Sequence, residues 1–122
     1  MNSWTKKREN LQGRFCALEY RLAGRHESSP PKGRVILIAI EAPEADLLLL
    51  IDPRWEEFVL PEDRSYLSEL WADSKERVQI DPKNLFKQLI TLSVGPLIVH
   101  ETGTSIEHNP RLWKLASEFE EL

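Results

Sequence analysis

The side chains best suited to chemistry gather in the run 100–105, which reads His-Glu-Thr-Gly-Thr-Ser, with Glu107 and His108 just beyond it. A turn that follows a strand is a usual place for a site, because a rigid scaffold aims its side chains. Two imidazoles with a neighbouring carboxylate could hold a metal ion or act as general acid and base. His100, Glu101 and His108 are therefore the candidate catalytic residues.

The spacing of these residues identifies no reaction. His100 and Glu101 are adjacent, and adjacent residues of a regular strand point to opposite faces of the sheet. A solvated turn whose histidines contact water and nearby carboxylates explains the same residues, and we favour it. The chain also lacks a phosphate-binding loop, a nucleotide-binding glycine run, a paired-cysteine metal motif and a Gly-x-Ser-x-Gly elbow. Enzymatic activity is left open, and neither a metal ion nor a cofactor is expected.

Two of the four tryptophans stand among charged residues. Trp55 lies between Arg54 and Glu56, and Trp4 precedes a basic run that ends at Arg8. Indole rings are enriched where proteins contact partners, so Trp4, Trp55 and Arg8 are candidate binding residues. The alternative for Trp55 is a lid over the end of the sheet, which we place slightly ahead.

Charge is distributed unevenly along the chain. The net charge is −4, yet residues 1–35 hold eight basic and three acidic residues. A basic segment can contact phosphate or an acidic partner. We favour a simpler interpretation, in which the first strand is a charged sheet edge that discourages aggregation and neutralises the acidic helices of the same fold. Overall acidity argues against nucleic acid, so a weak nucleic-acid contact through the N-terminal segment is only the second alternative.

The length of 122 residues predicts a single domain, 1–122, with a real hydrophobic core. No apolar run approaches the roughly 20 residues of a membrane-spanning helix, so no membrane association is expected. The basic segment 1–13 lacks the apolar stretch of a signal peptide. The single cysteine, Cys16, excludes an intramolecular disulfide, and a cytoplasmic location is expected.

Hydrophobic patterns predict four strands. Residues 14–22 alternate, with Cys16 facing inward, and 97–101, which begin Leu-Ile-Val, are predicted as the fourth strand in chain order. The runs 34–42 and 46–52 are apolar at consecutive positions, which is expected only of strands covered on both faces. Between the first two strands, the polar residues 23–33 are rich in Gly, Ser and Pro and predict a mobile loop.

Helices are predicted for most of the chain outside these strands. A short turn carries Trp55, and residues 61–77 place an apolar stripe between acidic and basic ends. Asp81 and Asn109 each precede a proline and begin the last two helices. The order β-β-β-α-α-β-α predicts an α+β domain, a small, mainly antiparallel sheet with its helices mainly on one face. That order occurs in many unrelated folds and identifies no family.

Helices on one face would leave the other face of the central strands apolar and bare. A second copy could cover it, giving a homodimer through the sheet face, or a helix of the chain could lie there instead. We expect a non-catalytic cytoplasmic module for protein–protein interaction or regulation, with an unknown protein partner and pathway. The first alternative is a small enzyme or metal-binding protein with its site near the turn between His100 and His108.

Overall fold

The computed structural model describes residues 13–21, 33–41, 47–94 and 97–122. The strands are β1 (Phe15–Tyr20), β2 (Arg34–Glu41), β3 (Leu47–Ile51), β4 (Ser93–Val94), β5 (Leu97–Gly103) and β6 (Glu120–Glu121). The helices are α1 (Trp55–Phe58), α2 (Pro61–Ile80), α3 (Pro82–Leu89) and α4 (Pro110–Glu118), and a 3₁₀ turn spans Ile106–His108. Apart from Gly13 and Gly33, the basic N-terminal segment and the expected mobile loop lie outside the described residues.

The fold class is α+β, as predicted. All six strands form one antiparallel sheet in the order β4-β5-β1-β2-β3-β6. The four predicted strands correspond to β1, β2, β3 and β5. The edge strands β4 and β6 are two residues long, too short for periodicity to indicate.

Side-chain caps begin the two last helices where the sequence placed them. Asp81 accepts a hydrogen bond from the backbone N–H of Asn84 at 3.3 Å, and Asn109 accepts one from that of Leu112 at 3.2 Å. Each cap satisfies a backbone donor that has no partner within the helix. A proline follows each cap at the first helical position, where its missing N–H is not needed.

Both faces of the sheet are covered within the chain, which confirms the prediction for β2 and β3. Helices α1, α2 and α3 lie on one face, where Leu18 and Leu49 of the sheet pack with Trp71 and Phe86. Helix α4 lies on the opposite face and contributes Leu112 to a second core. The apolar face that suggested a second copy is therefore occupied by α4, and it gives no argument for a homodimer.

The first strand, β1, lies between β5 and β2 and is buried along its whole length, so the prediction that it is a charged sheet edge is wrong. It has a register shift against each neighbour. Against β2 the residue left without a partner is Ile36, and against β5 it is His100. Such a bulge puts one extra residue into a strand and turns its side chains away from strict alternation. The β5 bulge decides where the candidate catalytic residues point.

None of the helices in the described ranges is both long and apolar enough to cross a membrane. The longest, α2, has 20 residues and carries charged side chains along most of its length.

Candidate functional site

The bulge in β5 brings His100 and Glu101 to the same side of the sheet. The register against β1 shifts between Ala17 and Leu18, and His100 is the extra residue. Both side chains contact Arg111 of α4, whose Nη2 lies 3.0 Å from His100 Nε2 and 3.4 Å from Glu101 Oε1. The expectation that adjacency separates these two side chains is therefore wrong, because strict alternation does not hold across a bulge.

A buried carboxylate, that of Glu19 of β1, contacts the His100 side chain from the neighbouring strand. Only 5% of Glu19 is exposed. Its Oε1 accepts a hydrogen bond from Arg21 Nε, and its Oε2 lies 3.3 Å from His100 Nδ1. The chain also passes so close at Gly33 that a Cβ there would lie 2.1 Å from Glu19 Oε2. The contacts with Arg21 and His100 offset the cost of burying a carboxylate. The contact with Nδ1 also fixes the position of the His100 imidazole.

The opposite end of the group joins the start of α4. Asn109 donates from Nδ2 to Glu101 Oε2 while its Oδ1 caps the helix. We call the whole set the His100 cluster. Its members are Glu19, Arg21, His100, Glu101, Asn109 and Arg111. Only His100 and Glu101 were predicted from the sequence as site residues, because the contacts of the cluster join β1, β5 and α4, which are distant in sequence.

The His100 cluster is an ion network whose charges are largely paired. When the ring is neutral, Nδ1–H donates to Glu19 and Nε2 accepts from Arg111. A general base needs a ring nitrogen that is free to face a substrate, and here both nitrogens are engaged. No group of three or more His, Cys, Asp or Glu side chains suited to a metal ion occurs in the described ranges.

The second candidate histidine, His108, is exposed in the 3₁₀ turn. The contacts of the described residues join His100 to Glu19 and to Arg111, which also contacts Glu101, and none of them joins His108 to this group. The predicted pairing of two imidazoles across the turn is therefore not among the contacts that the structure shows.

Of the candidate binding residues, only Trp55 lies among the described residues. Its side chain is 6% exposed and packs edge-on against Trp71, with ring centroids 5.9 Å apart. This burial does not fit a partly exposed contact residue, because the short helix α1 directs Trp55 into the core that it shares with the sheet. It fits the interpretation placed slightly ahead, in which the indole covers part of the sheet. The other two, Trp4 and Arg8, lie outside the described residues.

A cleft of about 320 Å³ opens between α3 and the end of β5, and we call it the α3–β5 cleft. It is lined by Arg14, Phe15, Phe86, Ile90, Thr102, Gly103 and Thr104. The Arg14 guanidinium lies over the Phe86 ring, 5.2 Å from its centroid, and its Nε donates to Glu41 at 2.7 Å. The walls of this space combine three apolar side chains with two threonines and a single arginine, and they hold no acid–base pair.

A second cleft on α3 shares Arg14 with the first. Lys83 and Lys87 line it one helical turn apart, and both are exposed. Within the described part of the chain neither lysine forms an ion pair, whereas the two acids there are engaged: Glu41 with Arg14 and Asp81 as the helix cap. The rim next to the α3–β5 cleft is therefore positively charged, although the chain as a whole is acidic.

The outer edge of β5 is only half covered. The short strand β4 pairs with Leu97 and Ile98, and the backbone N–H of Val99 donates to Leu92 at 3.3 Å. Past Val99, residues 100–103 have β1 on one side and no strand from the described ranges on the other. A sheet edge of this kind offers backbone donors and acceptors to another chain.

Comparisons with known proteins identify no relative of this chain. The chain has no match among protein-family models, curated protein sequences or solved structures.

Proposed function

We propose that this chain is a non-catalytic protein–protein interaction module that holds its partner at the α3–β5 cleft. The observation that carries the proposal is the juxtaposition of three features: a strand edge that no described strand covers, a cleft with three apolar side chains, and a positively charged rim. Strand edges and apolar clefts recur where domains bind peptide segments of other proteins. Charged rims select partners and speed their association.

Comparison with the His100 cluster supports an interface over an active site. In that cluster the charged groups neutralise one another around Glu19, and both ring nitrogens of His100 are engaged. At the cleft, by contrast, Lys83 and Lys87 have no ion-pair partner among the described residues. The charge of these two lysines is therefore available to a partner next to the α3–β5 cleft, with which their own cleft shares Arg14.

The proposal can be tested by selecting binders from a random-peptide phage library on the immobilised protein. We expect enriched peptides that bind the wild type and lose binding to the double variant Lys83→Glu/Lys87→Glu. A matched control, Lys75→Glu/Lys114→Glu, changes the net charge equally at exposed positions on α2 and α4. Failure to enrich any peptide, or enriched peptides that bind both double variants equally, would contradict the proposed site.

A small enzyme at the His100 cluster is the second candidate function. It is supported by the contact between Glu19 and His100 Nδ1, since a carboxylate that orients an imidazole is a recurrent feature of acid–base sites. Catalysis would require Arg111 to release Nε2. A thermal-shift screen with small carboxylic and phosphate esters tests it: a stabilising ligand whose effect is lost in His100→Ala supports the enzyme, and no such ligand argues against it.

The homodimer and the cytoplasmic location stay predictions. With α4 covering the second face of the sheet, a dimer would have to use another surface, such as the uncovered edge of β5. Sedimentation at tens of micromolar tests the dimer, and fractionation of cells that express the chain tests the location.

A further inference from the structure

The two faces of the uncovered β5 edge differ in chemistry. Thr102 pairs with Cys16 of β1 and lines the α3–β5 cleft, so this position belongs to the face of α1, α2 and α3. Glu101 pairs with Ala17 and contacts Arg111, so it belongs to the face of α4. One face of the edge therefore meets a cleft that holds Phe86, Ile90 and Arg14, and the other face meets Arg111.

Arg111 is well placed to meet a partner. Its side chain is 60% exposed, and the contacts to His100 and Glu101 are both made by Nη2. The fork of a guanidinium presents five N–H donors, so the contacts shown leave donors for a further carboxylate.

Successive side chains of a strand point to opposite faces of its sheet. We infer that the partner of the proposed module contributes an extended acidic segment, which adds as a strand to residues 100–103 of β5. Its alternate side chains are apolar ones that enter the α3–β5 cleft and acidic ones that meet Arg111. This inference rests on the proposed function and names the chemistry of its partner.

The size and charge of the surroundings fit such a segment. A cleft of about 320 Å³ is at the small end of ligand sites and suits one or two apolar side chains better than a large cofactor. Lys83 and Lys87 extend the positive charge beyond the cleft and suit further acidic residues of the same segment. A nucleic acid fits less well, because its phosphates form a continuous row of negative charge, whereas Glu41, Asp81 and Glu101 separate the cations here. A segment with alternating side chains can place its acids only where the cations stand.

The inference is tested with three synthetic eight-residue peptides, all with blocked ends. The first alternates Glu and Val, the second alternates Lys and Val, and the third is the Glu-Val peptide with alternate backbone nitrogens methylated. Methylation removes hydrogen-bond donors of the backbone and keeps the side chains, so it separates strand pairing from charge attraction. Binding is followed by the shifts of assigned amide signals in ¹H–¹⁵N spectra.

We expect the Glu-Val peptide to shift the signals of residues 100–104, and both other peptides to bind at least about tenfold more weakly. The variant Arg111→Gln should weaken the Glu-Val peptide by about three- to tenfold. The matched variant Lys114→Gln, on an exposed position of the same helix, should leave the affinity unchanged.

Three results would overturn the inference: no shift with the Glu-Val peptide, equal binding of the methylated peptide, or tighter binding of an oligothymidylate than of any peptide. Its failure is distinguishable from that of the proposed function. If library peptides bind the cleft and methylation does not weaken them, the interaction module stands and strand addition is wrong. If no peptide depends on Lys83 and Lys87, the module itself is contradicted.

Discussion

His100 and Glu19 face each other across β5 and β1, with His100 Nδ1 3.3 Å from Glu19 Oε2. The contact exists because the bulge in β5 turns the imidazole toward the face on which Glu19 is buried. On its other side the ring meets Arg111, which can only donate hydrogen bonds. The imidazole is thus held between an acceptor and a donor, which fixes where its proton must lie when the ring is neutral.

The neutral ring of His100 should carry its proton on Nδ1. This tautomer lets Nδ1–H donate to Glu19 and leaves Nε2 to accept from Arg111. Long-range ¹H–¹⁵N spectra in alkaline buffer distinguish the two nitrogens directly. In Arg111→Met the donor is gone and the Nε2–H form should grow, whereas Lys114→Met should change nothing. A dominant Nε2–H signal in the wild type would contradict the arrangement.

The carboxylate of Glu19 should contribute more to stability than that of Glu41. Glu19 is buried with Arg21 and His100, whereas Glu41 pairs with Arg14, whose side chain is 61% exposed. We expect Glu19→Gln to lower the free energy of unfolding by about 1–2 kcal/mol, since charged hydrogen bonds are lost inside the protein. Glu41→Gln should change it by at most about 1 kcal/mol. Urea unfolding curves measure both, and equal losses would contradict the assigned role of Glu19.

Four of the strands and the starts of the last two helices could be predicted from the sequence, because alternation and helix capping depend on neighbouring residues alone. Alternation around Cys16 predicted β1, and the Asp81 and Asn109 caps predicted the starts of α3 and α4. Consecutive apolar residues in β2 and β3 predicted strands that are covered on both faces, and this is confirmed.

The site depends on tertiary register, which local patterns do not encode. Whether His100 points toward α4 depends on one extra residue in the pairing of β5 with β1. The apolar stripe of α4 predicted a helix, but only the chain path decides that it packs on the face opposite α2. No local pattern marked Arg111 or Glu19 as a site residue, because each belongs to the cluster only through its contact with His100, on a distant element.

Removing the hydroxyl of Ser74 should stabilise the fold. Ser74 Oγ on α2 is fully buried and has no hydrogen-bond partner among the described residues. Ser74→Ala should raise the free energy of unfolding by about 1–2 kcal/mol, because a buried unsatisfied group is removed and alanine favours helix. The exposed Ser68 of the same helix supplies the control, since Ser68→Ala changes helix propensity alone and should gain about 0.5 kcal/mol. A loss of stability in Ser74→Ala would show that the hydroxyl is hydrogen-bonded in solution.

Alkaline pH should destabilise the fold through Cys16. Burial raises the pKa of this thiol from 9.0 to about 12, against a smaller lowering by the backbone of Ala39. Between these values the unfolded chain loses the proton and the folded chain keeps it, so stability falls as pH rises.

The variant Cys16→Ala isolates this effect, because all other titrating groups are common to both proteins. The stability advantage of the wild type over the variant should shrink by about 1 kcal/mol between pH 9 and pH 10. This is less than the roughly 1.4 kcal/mol per pH unit for one whole proton, because the unfolded thiol is only partly ionised in this range. Urea unfolding at each pH measures it. A disulfide reagent gives a second readout: at pH 8 it should label Cys16 no faster than the protein unfolds. A pH-independent difference, or rapid labelling of the folded protein, would show that the thiol is not buried as described.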